Sequence, residues 1–162
     1  MVVGLKLRYE IDLRRPVRTV ASDGHALRSI TSGDLGGLAR LMLDAYIGTI
    51  DYDGEDLDDA VSEVRSFYDD GRPLLDRSYL VESDGGIASA VLVSLSEGTP
   101  FVGYVMTAPG HKNLGLGRLV TTASLVALAQ DGYKKVIFYI TEGNLPSEAL
   151  FRAVGAVHTP AE

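Results

Sequence analysis

The sequence predicts an α/β fold, a mixed and mostly antiparallel sheet flanked by helices. Three observations carry this expectation. Strand-like stretches separated by hairpin signals run together between Tyr79 and Thr107. Apolar residues at helical spacing fill the stretch before them, and the remainder of the chain alternates helix, strand and helix. A sheet with helices on both faces is the packing that buries all of these elements.

Taken in order, Leu5 to Leu13 alternates (Leu5, Leu7, Tyr9, Ile11, Leu13), as a half-buried strand does. Arg14-Arg15-Pro16 and Ser22-Asp23-Gly24 then supply turn signals. We expect residues 1–24 to form a strand extension ahead of a single domain spanning 25–162. Ala26 to Ile30 reads as a short strand, and Thr31-Ser32-Gly33-Asp34 offers helix N-caps. Leu35, Leu38, Leu41, Met42 and Ala45 follow helical spacing, and a second helix runs from about Asp56 to Tyr68. The period then changes to strands at Tyr79–Glu82, Ile87–Leu95 and Phe101–Thr107, joined at Ser83-Asp84-Gly85-Gly86 and Glu97-Gly98-Thr99-Pro100. Leu116 to Ala129 is helical and ends near Gly132. Lys135 to Thr141 is an apolar strand, and Pro146 to Val154 a last helix closing at Gly155.

Composition excludes several function classes. With no cysteine there is no disulfide, thiolate nucleophile or cysteine metal site. The 3 histidines lack ligand spacing, so no metal is expected. A net charge of −7 argues against a nucleic-acid partner. No apolar run reaches the ~20 residues needed to span a bilayer, and Met1 to Glu10 lacks the apolar core of a signal peptide. We therefore expect a cytoplasmic protein with no membrane partner. Much of the acid lies at Asp51, Asp53, Glu55, Asp56, Asp58, Asp59 and Glu63. That run suits a solvated helix start, which favours acids, and equally an acidic rim for a cationic ligand.

The most informative segment is Thr107-Ala108-Pro109-Gly110-His111-Lys112-Asn113-Leu114-Gly115-Leu116-Gly117-Arg118. A helix N-terminus leaves backbone N–H groups unpaired and carries partial positive charge, which suits a phosphate. Gly115 and Gly117 remove side chains where amides must approach a ligand, and His111, Lys112 and Arg118 add cations in an acidic chain. A pyrophosphate matches in geometry and sign. The dinucleotide-binding alternative expects a third glycine and a preceding parallel strand, and a P-loop expects Lys-Ser/Thr after the glycines. Neither pattern is present.

At Lys112-Asn113-Leu114-Gly115-Leu116-Gly117 the chain resembles the GNAT superfamily of N-acetyltransferases, whose signature is Arg/Gln-x-x-Gly-x-Gly/Ala after a Pro that ends the fourth strand. A second family element, Asn-x-x-Ala-x-x-Leu-Tyr-x-x-x-Gly, is similar to Asn144 through Gly155. The resemblance covers roughly His25 to Ala156. It implies a GNAT-type fold with acetyl-CoA as co-substrate, entering where the fourth and fifth strands splay apart. It further implies that Val105, Met106 and Thr107 pair with the pantetheine amides and that Asn113, Leu114, Gly115, Leu116, Gly117 and Arg118, with Lys112, hold the pyrophosphate. Asn144 and Phe151 would meet the arm near its reacting end.

Two departures concern proton transfer. The family's tyrosine acid falls at Phe151, and its frequent glutamate base falls near Phe101, in a strand with no carboxylate. Tyr104, Glu82 and Tyr139 are the substitute catalytic candidates. Tyr79, Asp51 and Asp53 are further substitutes, the two aspartates through water. Acceptor recognition in the family comes mainly from the region between the first two helices, which here holds Tyr46, Asp51, Tyr52 and Asp53. Such a mixture suits a primary amine. The implied reaction is direct attack of that amine on acetyl-CoA; the alternative is an acyl-CoA sensor without turnover. A weaker alternative is an unrelated nucleotide-binding domain. Family members commonly continue through two further strands. We therefore expect a truncated C-terminus that leaves the fifth strand exposed, the N-terminal strand on the other sheet edge, and a homodimer formed through the uncovered edge.

Overall fold

The alternation at the start of the chain becomes strand β1 (Lys6–Asp12), with Tyr9 and Ile11 buried and the intervening charged residues partly exposed. The computed structural model describes residues 5–18, 20–22 and 24–159. Asp23 of the expected Ser22-Asp23-Gly24 turn, and residues 160–162 of the expected truncated C-terminus, lie outside them. The remaining strands are β2 (Ala26–Ser29), β3 (Tyr79–Ser83), β4 (Gly86–Ser96), β5 (Thr99–Thr107), β6 (Lys135–Thr141) and β7 (Val157–His158). The helices are α1 (Leu35–Tyr46), α2 (Leu57–Asp69), α3 (Leu116–Gln130) and α4 (Leu145–Ala153).

All strands join one 7-stranded sheet in the order β2-β3-β4-β5-β6-β1-β7. Every neighbouring pair is antiparallel except β5 with β6, which run parallel. The central strand β4 is buried on both faces. Val91 and Val93 join the core under α3 and α4, whereas Ala90 and Leu92 join the core under α1 and α2. Phe138 of β6 stacks on Phe151 of α4 at 4.0 Å and on Tyr9 of β1 at 5.8 Å between ring centroids. This column ties the last helix to the N-terminal strand through the sheet. Among the described residues no helix is long and apolar enough to cross a membrane.

The expected edge arrangement is overturned. The N-terminal strand does not extend the far edge; it pairs along its whole length with β6, from Lys6 opposite Thr141 to Asp12 opposite Lys135. The fifth strand of the family pattern is therefore covered, and β7 in turn pairs with β1 at Tyr9 and Glu10. The physical reason is that β6 offers both an unpaired backbone edge and buried side chains (Val136, Phe138, Ile140) that Tyr9 and Ile11 can pack beside. The homodimer expectation loses the edge on which it was based.

At the opposite edge, Arg28 of β2 ties the sheet to the start of α1. Its Nη1 and Nη2 donate to the two carboxylate oxygens of Asp34 at 2.9 and 2.8 Å, and the Thr31 amide donates to Asp34 Oδ2 at 2.8 Å. The Arg28 hydrogen bonds hold the Asp34 carboxyl below its ordinary value of 3.8, against the opposing effect of burial. A carboxyl depressed in the folded state stabilises at pH above its unfolded pKa, and that contribution is lost as pH falls through the folded pKa. Asp34→Asn should cost about 1–3 kcal/mol at neutral pH. The difference from wild type should shrink as the pH falls below 3.8. Urea midpoints across acid pH measure this, and a constant difference would contradict it.

Candidate functional site

The turn that follows β5 begins at Pro109 and reaches α3 through two left-handed residues, Asn113 (φ 65°) and Gly115 (φ 75°). These conformations turn the chain so that α3 starts beside the end of β5 with its first amides uncommitted. The first intrahelical bond from this end is Leu119 N–H to the Gly115 carbonyl at 3.0 Å. The amides of Leu116, Gly117 and Arg118 thus have no acceptor within the helix. A Cβ placed on Gly117 would meet Thr107 Oγ1 at 3.4 Å, Leu150 Cδ2 at 3.6 Å and Val105 Cγ1 at 3.7 Å. Glycine leaves that space open at the junction of α3, β5 and α4. Arg118 Nε and His111 Nδ1 are buried without a hydrogen-bond partner among the described residues. Lys112, Asn113, Leu114 and Gly115 are exposed around them. Free amides, an unpartnered guanidinium nitrogen and an open cradle fit a pyrophosphate.

The β5–β6 pairing is brief. It holds for Phe101 opposite Ile137 and Val102 opposite Phe138, and then the strands part. On its other side β5 stays paired with β4, through Val105 opposite Val91, Met106 opposite Ala90 and Thr107 opposite Ser89. The register of that pairing slips at Gly103, which among the described residues has no partner on either neighbouring strand. The side of Val105–Thr107 turned towards β6 is therefore an unpaired strand edge in the splay. The Met106 side chain itself belongs to the core under α1 and α2.

A cleft of about 970 Å³ occupies the splay and extends under the loop between α1 and α2. Its lining includes Tyr46, Asp51, Tyr52 and Asp53, the expected acceptor set, together with Tyr104, Tyr139, Val105, Asn144 and Phe151. Glu82 is not brought there. It lies on β3 near the β2 edge, where Arg28 Nε donates to it. The acid run is divided between two places. Asp56 and Asp59 form a reciprocal capping box at the start of α2, while Asp51, Asp53, Glu55, Asp59 and Glu63 line the cleft.

Two polar clusters organise the lining. In the first, Asp51 Oδ1 accepts from Thr141 Oγ1 at 2.7 Å and Asp51 Oδ2 from Asn144 Nδ2 at 2.9 Å. Asn144 also caps α4 by accepting from the Ser147 amide at 3.3 Å. In the second, the Tyr104 hydroxyl on β5 donates to Glu63 on α2. Burial, then the Glu63 bond and charge, then Tyr46 push the Tyr104 phenol well above its ordinary value. Burial likewise raises Tyr46, with the charges of Asp51 and Glu63 adding to it. Tyr139 is 49% exposed, with Phe101 beside its ring at 5.9 Å. Phe151 is buried in the Phe138 stack.

Sequence reasoning did not single out Glu63, Thr141, Lys6 or Gly103. For Glu63 a local signal existed: it lies one residue before Val64 and so flanks the buried face of α2 (Ala60, Val64, Phe67).

The acetyltransferase (GNAT) family profile matches residues 38–156 of the chain. None of the curated proteins matches its sequence. Among solved structures the chain is similar to a GCN5-related N-acetyltransferase from Sphaerobacter thermophilus, at 16% identity and TM-score 0.74, covering 95% of this chain and 48% of that one. It thus spans about half the length of that protein. It is similar to an aminoglycoside N-acetyltransferase in complex with CoA, at 13% identity and TM-score 0.65, covering 91% of this chain and 93% of that one. A third is the PaiA N-acetyltransferase from Thermoplasma acidophilum in complex with coenzyme A, at 11% identity and TM-score 0.62, covering 80% and 87%. At such identities the likeness is one of fold.

The raised Tyr104 phenol has a direct optical consequence. Exposed tyrosines ionise near pH ~10, and Tyr104 should not ionise with them. In a spectrophotometric titration, Tyr104→Phe should show the same tyrosinate signal as wild type at about pH 10.5. Loss of one tyrosine's share of the signal would contradict this environment.

Proposed function

The chain belongs to the acetyltransferase (GNAT) family, and we propose that it moves an acetyl group from acetyl-CoA to a primary amine by direct attack. The observation that carries this reading is the Glu63–Tyr104 pair, set in an acidic, tyrosine-lined cleft at the strand splay. Acetyl-CoA would be held by the Leu116–Arg118 amides and the Arg118 side chain at its pyrophosphate. The free edge of Val105–Thr107 and the side chain of Asn144 would meet its arm. When bound it supplies an activated thioester, with a thiol of pKa ~8.5 as leaving group.

The chain's own residues then do the following. Glu55, Asp59 and Glu63 attract the acceptor as an ammonium ion into the cleft. Glu63 is the carboxylate that takes the amine's proton, directly or through one water. Tyr104 keeps its own proton because its pKa is raised, so it holds Glu63 in place and does not compete as a base. The tight association of Asp51 with Thr141 and Asn144 reserves that carboxylate for positioning. Gly103, without a strand partner, presents its backbone to the cleft where charge would develop on the carbonyl oxygen. Phe151 has no proton to donate, so the thiol departs as thiolate or is met by the exposed Tyr139 on the β6 wall. The absence of an acid at Phe151 is also what would favour a non-catalytic acyl-CoA sensor.

Three measurements test this. CoA should raise the melting temperature where NAD and ATP do not, and Arg118→Ala should weaken CoA binding in calorimetry by about tenfold or more, the loss of one charge-assisted hydrogen bond. Acetyl-CoA mixed with cadaverine, spermidine or lysinamide should release thiol saturably, and Glu63→Gln should lower kcat by roughly 10²–10⁴. Tight CoA binding with no thiol release from any amine would overturn transfer and leave the sensor reading.

A further inference from the structure

We propose that Lys6 is a positioning residue of the transfer site, which makes the N-terminal strand a working part of that site. Lys6 lies outside the span matched by the family, residues 38–156, yet it lines the cleft. Its Nζ donates to Thr141 Oγ1 at 2.8 Å, and Thr141 Oγ1 donates onward to Asp51 Oδ1 at 2.7 Å. Asn144 Nδ2 closes the chain on Asp51 Oδ2 at 2.9 Å. Four separate parts of the fold meet here: β1, β6, the loop after α1 and the N-cap of α4.

The argument turns on the Thr141 hydroxyl. A hydroxyl has one proton to give and lone pairs to receive. With the Lys6 ammonium donating to its oxygen, the rotor is set so that its proton points at Asp51. The direct Lys6–Asp51 ion pair, at 4.0 Å with 57% of the lysine side chain exposed, is too long and too wet to matter much. The relay acts on a better-shielded carboxylate, since the Asp51 side chain is 18% exposed. Among the described residues, Asp51 is a point at which the loop after α1 reaches across to β6 and α4. By contrast, the hydrogen bonds of Thr49 to the Tyr46 carbonyl and of Tyr52 to the Glu55 carbonyl are local. Fixing Asp51 therefore fixes the segment that carries Tyr52, Asp53 and Glu55 along the acceptor wall.

The kinetic half of this inference rests on the acetyl-transfer reading; the structural half does not. The experiment compares wild type with Lys6→Met, Lys6→Arg and Thr141→Val by hydrogen exchange and by kinetics with acetyl-CoA and the same three amines. Lys6→Met and Thr141→Val should each speed amide exchange in residues 47–55 by about tenfold, the scale of one hydrogen bond to a charged group. Exchange in β6 and α3 should stay as in wild type. The acceptor KM should rise by a similar factor with kcat within about twofold, and Lys6→Arg should restore both. Unchanged exchange in the loop of Lys6→Met would overturn the proposal. So would a rise shared equally by β1 and β6, which would mean that the strand had loosened as a whole. If no amine is turned over by wild type, the acetyl-transfer reading fails by itself, and the exchange result still decides the role of Lys6.

Discussion

The structure depends on a parallel strand pair that is allowed to stop. β5 and β6 are joined for two residue pairs and then part, and backbone groups released inside a protein must find partners or face solvent. Here the released groups face the cleft, while β4 holds β5 to its end at Thr107 and β1 holds β6 to its end at Thr141. With both strands anchored from outside, the space between them can stay open. The cleft and the unpaired edge of Val105–Thr107 both follow from this arrangement.

Local chemistry is what the sequence made readable. The turn before α3 depends on residues adjacent in the chain: a proline, two left-handed positions and a glycine that leaves room beside Thr107. Each of these is visible as a residue type. The caps of α2 and α4 are equally local, because Asp56 and Asn144 act on amides within three residues of themselves. The sheet edge was not. An alternating strand says that one face is buried, and nothing in Leu5–Leu13 says which neighbour supplies the hydrogen bonds; that is settled by β6, more than a hundred residues away. Glu82 lies apart from the cleft for a related reason, since on β3 it pairs opposite Ala26 and is reached by Arg28 two residues along β2, a pairing that sequence spacing does not reveal. Glu63 was visible only as one more acid in a charged run, and its meaning appears when α2 is laid against β5.

That charged run also shows how one composition carries two loads. Asp56 and Asp59 bind each other's backbone and start a helix, while their neighbours face the cleft and give it a negative field. Weighing these as rival explanations was natural from composition alone. In three dimensions they belong to adjoining parts of the chain, the loop before α2 and the first two turns of that helix.

The cradle at Gly117 has a consequence for experiments in cells. A methyl group there would touch its three neighbours at ordinary contact distances, 3.4 to 3.7 Å, and alanine favours helix over glycine by about 0.8–1.0 kcal/mol. The fold therefore has room for alanine, the alternative residue of the family signature at this place, so an alanine allele serves as a control. An Arg118→Ala allele, which removes a buried guanidinium nitrogen that has no partner among the described residues, is the one expected to lose its ligand. A phenotype shared with a deletion strain would then report on ligand occupancy, and one that the allele rescues would report on the protein's presence alone.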